Sequence, residues 1–430
     1  MNSKRNIIGI VSLAVIIILL AIMRKVSMRA DDVTTPDSPA VTGAPATLAP
    51  TQTASVTTPT AAPTPTSTPM PTAAPTPTAT PEPTATPVPT SVPTPSVNPE
   101  YLAKAQSVLD TMTTDEKLYQ LFLVTPEQLT GANPVKNAGD TTKKAIKNKP
   151  IGGILYSKKN MLDTNQVKKL LGNSAGYSKF GLFLAIEDAD GSVTNKVGTH
   201  TVSGFAKLSA TGEPSNAEAA AVSLGNDLKK LGFNMNLAPV ANVSESGNTF
   251  GSDPETVSKM VEAYVKGSLS AGMPGVLMYF PVAGTDACDK TAAKLQTCEY
   301  QSFLAGINAG ASAVMVGYAD MNAISDSGLP ACLCSDVITG MLRGELEFGG
   351  VVITSPLNQK IITDTYKNGT ASVLAFKAGA DLLNCPQNLD EAVDALRKAL
   401  QSGEITEEQL NEHVLRILVM KAQFGIVKAQ

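Results

Sequence analysis

The feature that most limits what this chain can become is an alternation. From Tyr101 onward, eight short apolar runs recur: QLFLV (120–124), GGILY (152–156), LFLAI (182–186), NMNLA (234–238), GVLMYF (275–280), AVMVG (313–317), GVVIT (350–354) and DLLN (381–384). Amphipathic helical patterns lie between them, among them SNAEAAAVSLGNDLKKLG and DEAVDALRKALQSG, whose last glycines fall where a left-handed helix C-cap is expected. Strand, helix, strand in this rhythm implies parallel strands joined by crossover helices. Eight such units across residues 100–430 suit one α/β domain, a (β/α)8 TIM-type barrel, with ITEEQLNEHVLRILVMKAQFGI as a closing helix; a doubly wound sheet is the alternative. In a barrel the binding groups gather at the C-terminal ends of the strands, so the residues after each run are the ones to read.

The first hundred residues are of another kind. Within residues 1–30, IIGIVSLAVIIILLAIM (7–23) carries no charge and is about the minimum length that crosses a hydrocarbon core. Arg24 and Lys25 follow where a cleaved signal would show small residues, so an uncleaved transmembrane helix is expected, with a cleaved secretory signal as the alternative. Residues 31–99 are Thr, Pro, Ala and Ser, with stretches such as PTPTATPEPTATP, and have nothing with which to bury a core. Such a disordered linker, extended by its prolines at roughly 3 Å per residue, could hold a domain up to roughly 200 Å from a membrane. A single-pass protein of the cell membrane with its barrel outside the cytoplasm is the expectation.

With 34 basic and 38 acidic residues the net charge is −4, which leaves no electrostatic footprint for nucleic acid. The five cysteines, Cys288, Cys298, Cys332, Cys334 and Cys385, are an odd number, and Cys332 and Cys334 are too close for an ordinary bridge, so their pairing stays open. His200 and His413 are not at ligand spacing from them. No metal or other cofactor is expected, and the two histidines are placed in a loop and in the terminal helix without a role.

The segments MTTDEKLYQLFLV, PIGGILY, FNMNLAPVANV, AVMVGYADM, LPACLCSDVITGMLRGELEFGGVVITS and AFKAGADLLN stand in the order seen in the N-terminal barrel of glycoside hydrolase family 3. The chain resembles that family from about residue 101 to 427, and most of all its bacterial β-N-acetylhexosaminidase branch. The resemblance implies a retaining hydrolase with an aspartate nucleophile directly after the serine of strand seven, and an Asp–His acid/base pair on the loop after strand five. Here Ser355 is followed by Pro356, which offers neither nucleophile nor charge and, lacking an N–H, is expected to end its strand early and narrow the cleft. The Asp–His pair corresponds to Asp289 and Thr291. The family's Lys-His becomes Met278-Tyr279, its Asp-Gln-Glu-Gly-Gly-Arg becomes Glu187-Asp188-Ala189-Asp190-Gly191-Ser192, and its Arg-Ser-Phe-Gly becomes Asn248-Thr249-Phe250-Gly251.

The loss of nucleophile, imidazole and sugar-facing cations at the ends of several strands points to a catalytically impaired, hydrolase-like protein. Its expected partners are peptidoglycan or another β-linked glycan, or a surface protein. Glu187, Asp190, Asn248, Tyr279, Tyr318 and Asp320 are the candidate binding residues. The alternative is an active O-glycosyl hydrolase with relocated carboxylates, drawn from Glu187, Asp188, Asp190, Glu245, Asp286, Asp289 and Asp320, two of which would then have to lie roughly 5 Å apart. Otherwise these acids are solvated loop residues or helix caps.

Overall fold

The computed structural model describes residues 98–245, 248–284 and 295–428. All eight runs form strands: β1 (Phe122–Val124), β2 (Gly153–Tyr156), β3 (Phe183–Ile186), β4 (Met235–Asn236), β5 (Val276–Phe280), β6 (Ala313–Val316), β7 (Val351–Thr354) and β8 (Leu383–Asn384). They pair in parallel in the orders β4-β3-β2-β1-β8 and β5-β6-β7. Two parallel bridges, Val240 with Met278 and Ile353 with Leu382, join the two sheets at both seams. Every strand thus has a neighbour on each side, the closed order of a TIM-type barrel, whereas a doubly wound sheet would leave two free edges.

The strands are shorter than the runs, for local reasons. Pro239 has no N–H to give, so β4 stops at Asn236, and the next residues serve as acceptors: Ala238 O takes Val276 N at 3.2 Å and Pro239 O takes Met278 N at 2.9 Å. Gln120 and Asp381, expected within strands, lie just ahead of β1 and β8 and build the barrel's underside instead. In one register row, Gly153 stands between Leu123 and Phe183, and a Cβ there would lie 2.7 Å from Phe183 Cβ and 2.8 Å from Leu123 Cδ1, so only glycine lets the strands approach.

The expected C-caps are present: helix Pro214–Leu231 ends on Gly232 (φ 106°) and helix Leu389–Ser402 on Gly403 (φ 76°). The closing helix, Glu407–Gln423, passes beneath the strands' N-terminal ends. Its His413 and Arg416 reach Asp381 at 2.9 and 2.8 Å, and Arg343 meets the same buried carboxylate at 2.7 Å. His413, to which the sequence assigned no role, is therefore part of a buried ion cluster. Three residues before the helix C-cap, Phe424, the wholly buried Lys421 Nζ donates to Gln120 Oε1 and to Gly181 O, each at 2.8 Å, and lies 5.1 Å from the Phe183 ring centre. The Gln120 amide in turn donates to Pro150 O at 2.5 Å and Ile151 O at 3.1 Å, tying together the entries to β1, β2 and β3.

The apolar run 7–23 and the linker as far as residue 97 lie outside the described residues. Among the described residues no helix is long and apolar enough to cross a membrane. The first helix, Pro99–Leu109, starts at the last residue of the expected linker, with Asn98 as its cap accepting from Glu100 N at 2.9 Å. Cys332, Cys334 and Cys385 are free thiols, and Cys288 lies outside the described residues.

Candidate functional site

The strand ends bring two of the candidate residues into contact. β3 is buried along its whole length, and the residue after it, Glu187, is exposed. Across the opening, the half-buried Tyr279 near the end of β5 donates its hydroxyl to Glu187 Oε1 at 3.2 Å. Burial first, and then the facing carboxylate, push the Tyr279 phenol well above its ordinary range, so it remains a neutral donor.

A second contact secures the tip of β7. Sheet pairing runs one residue past β7, with Ser355 N donating to Val316 O at 2.9 Å, and stops at Pro356 as its missing N–H demands. The Tyr318 hydroxyl, from the end of β6, donates to Pro356 O at 2.7 Å, and Leu357 N donates to Asn384 O at 2.8 Å. Ser355 is wholly buried and Pro356 half-buried. Burial also raises the Tyr318 phenol, and the nearby Cys332, Tyr279, Cys385 and Glu187 add to that shift. Burial pushes the Cys332 and Cys385 thiols up to about 12, too high for a reactive thiolate.

The other candidates are engaged locally. Asp188, only 1% exposed, accepts from Thr194 Oγ1 at 2.6 Å and from the amides of Thr194 and Val193, and its backbone N–H donates to Asn236 Oδ1 at 3.0 Å; burial raises its carboxyl. Asp190 and Asp320 close turns, accepting from Ser192 N and Asn322 N at 3.0 and 3.1 Å. Glu245 accepts from Ser252 Oγ at 3.3 Å, and Asn248 is exposed in the loop after β4. Asp286, Asp289 and Thr291 lie outside the described residues. Among the described residues no cluster of His, Cys, Asp and Glu could hold a metal ion.

Two contributors had no signal in the sequence. Buried Asn242 grips the backbone of Tyr279 through its side-chain amide. His200 Nδ1 lies 2.7 Å from Asp227 Oδ2, holding the loop after β3 to helix Pro214–Leu231. Burial would raise the Asp227 carboxyl, but Lys230 and His200 together lower it to about 2.

The model of the glycosyl hydrolase family 3 N terminal domain matches residues 113–420, most of the chain. The chain belongs to glycoside hydrolase family 3. Among its family 3 relatives, a β-N-acetylglucosaminidase/β-glucosidase of Cellulomonas fimi is 27% identical over 356 residues, covering 77% of this chain and 61% of that protein. A β-hexosaminidase of Stenotrophomonas maltophilia is 32% identical over 198 residues, covering 42% of this chain and 58% of that protein. A solved structure of a family 3 β-N-acetylglucosaminidase from Paenibacillus sp. str. FPU-7 superposes with a TM-score of 0.68 at 30% identity, over 74% of this chain and 63% of that one. The chain therefore spans about three fifths of the length of these relatives. Ser355, Pro356, Asp289 and Thr291 all lie inside the matched residues.

Proposed function

We propose that this family 3, β-N-acetylhexosaminidase-like domain binds a β-linked glycan such as peptidoglycan without hydrolysing it at an appreciable rate. The observation that carries this reading is the tip of β7, where Pro356 stands at the position of the expected nucleophile and its carbonyl is held by Tyr318. A retaining mechanism needs a carboxylate to trap the oxocarbenium-like carbon, and removing a nucleophile elsewhere costs on the order of 10⁶ in turnover. Glu187 and Tyr279 can accept from and donate to sugar hydroxyls, a binding role that needs no bond cleavage. On the composition of residues 1–99, the domain is carried by a membrane helix over 7–23 and an extended linker, and works outside the cytoplasm.

The full chain is incubated with a chromogenic β-N-acetylglucosaminide and, separately, sedimented with purified peptidoglycan. No turnover together with co-sedimentation is the expected result. Turnover abolished by Glu187→Gln overturns the impaired reading, and a chain that stays in the supernatant while capturing one defined surface protein by crosslinking replaces the glycan with that protein.

The Tyr279–Glu187 contact favours one other reading. A phenol beside a carboxylate is the nucleophile-and-base pairing by which some glycosidases attack without an aspartate, and it would make the domain an active O-glycosyl hydrolase. A sugar adduct on Tyr279, found by mass spectrometry after quenching with a fluorinated glycoside, is the result that selects it.

A further inference from the structure

The seam between β4 and β5 shows what places Tyr279. Past β4 the chain runs beside β5 and exchanges backbone hydrogen bonds with it: Val276 N to Ala238 O, Met278 N to Pro239 O, and Ala241 N to Met278 O. At the next rung the backbone partner is missing, and a side chain replaces it. Asn242 Oδ1 accepts from Tyr279 N at 2.8 Å, and Asn242 Nδ2 donates to Tyr279 O at 2.8 Å and to Pro281 O at 3.5 Å. A carboxamide has the same donor and acceptor as a peptide group, so it can continue a ladder where the main chain has turned away. Asn242 is only 2% exposed, which strengthens these bonds and leaves the amide no water to turn toward.

We propose that Asn242 is a positioning residue: its amide adds a last rung to the β4–β5 seam and so presents the Tyr279 phenol to Glu187 across the opening. Three strand ends then act as one unit, with β4 supplying the clamp, β5 the donor and β3 the acceptor. The Tyr279 backbone is held on both its N–H and its C=O, so the ring has only its side-chain torsions with which to leave Glu187. This arrangement belongs to the unliganded chain and holds whichever reading of the opening's chemistry stands.

The test is made on the full chain with 3-fluorotyrosine at its tyrosines, without added glycan. The ¹⁹F resonance of residue 279 is assigned by its disappearance in Tyr279→Phe, and that of residue 318 by Tyr318→Phe. Glu187→Gln, which removes the charge facing the phenol, sets the yardstick for a disturbed pair. Asn242→Ala removes every clamp bond. Asn242→Asp keeps the acceptor for Tyr279 N but sets a carboxylate against two carbonyl oxygens, and it carries the test if the alanine variant does not fold. The expected result is that the residue 279 signal moves in the Asn242 variants by at least half its displacement in Glu187→Gln, while the residue 318 signal stays in place. A lowered melting temperature with the residue 279 signal unmoved overturns the proposal, as does an equal movement of both signals, which marks general loosening.

Discussion

Tyr318 and Pro356 are joined across the ends of β6 and β7, the phenol donating to the proline carbonyl at 2.7 Å. The bond uses the acceptor that proline retains after its donor is lost, and it immobilises the part of the chain where the family nucleophile was expected. Tyr318→Phe leaves that partly buried carbonyl without its partner, which is expected to cost about 1 kcal/mol of folding stability. Urea unfolding of the two proteins measures it, and a change within error would show that the contact does not hold the tip.

Glu187 is exposed and, among the described residues, carries one hydrogen bond, from a neutral phenol, so it contributes more to recognition than to folding. Glu187→Gln keeps the shape and removes the charge. Affinity for peptidoglycan fragments, measured by calorimetry, is expected to fall about tenfold, the scale of one hydrogen bond to a charged group, with an unchanged melting temperature.

Asp381 is the counter-charge for Arg343 and Arg416 beneath the barrel, and the His413 ring lies against it. Burial alone would raise its carboxyl, but the two guanidiniums and then the imidazole hold it far below the usual range. Asp381→Asn leaves Arg343 buried without its anion and is expected to cost about 3–5 kcal/mol, seen as a shifted denaturant midpoint.

The same cluster sets an acid limit. Burial lowers the His413 imidazole, so both His413 and Asp381 hold fewer protons folded than unfolded, and stability declines as pH falls. The decline begins below about pH 6.5 through His413 and continues below about pH 4 through Asp381. In a pH series of melting temperatures His413→Gln should remove the first limb alone.

Lys421 acts at the other end of the pH scale. Burial lowers its amine to about 7, whereas the unfolded chain holds that proton up to about pH 10.4. The folded state binds fewer protons between those values, so Lys421 makes stability rise with pH from about 7 upward. Lys421→Met should flatten the slope of melting temperature between pH 7 and 8.5, below the range in which the buried thiols titrate; an unaltered slope would place the proton elsewhere.

The scaffold was legible because its signal is repeated. Each apolar run bounded by turn residues became a strand, and glycines 232 and 403 became left-handed caps, since period and capping are local properties. Pro356 could be read as a break because proline constrains its own backbone wherever it occurs. The contacts that shape the opening could not be read. Nothing next to Asn242 in the chain shows that its amide will meet the backbone of residue 279, and a lysine in the last turn of an amphipathic helix reads as a surface residue until the barrel's underside closes over it. Long-range partners are set by the closed sheet, which no window of sequence contains.

Closure through β1 and β8 has a further consequence, for synthesis. Phe122 pairs with Leu383, and the helix that covers the underside follows later still, so the first strand emerges from the ribosome long before its lateral neighbour exists. Until β8 has been made, β1 presents an open apolar edge, the sort of intermediate that calls for a chaperone.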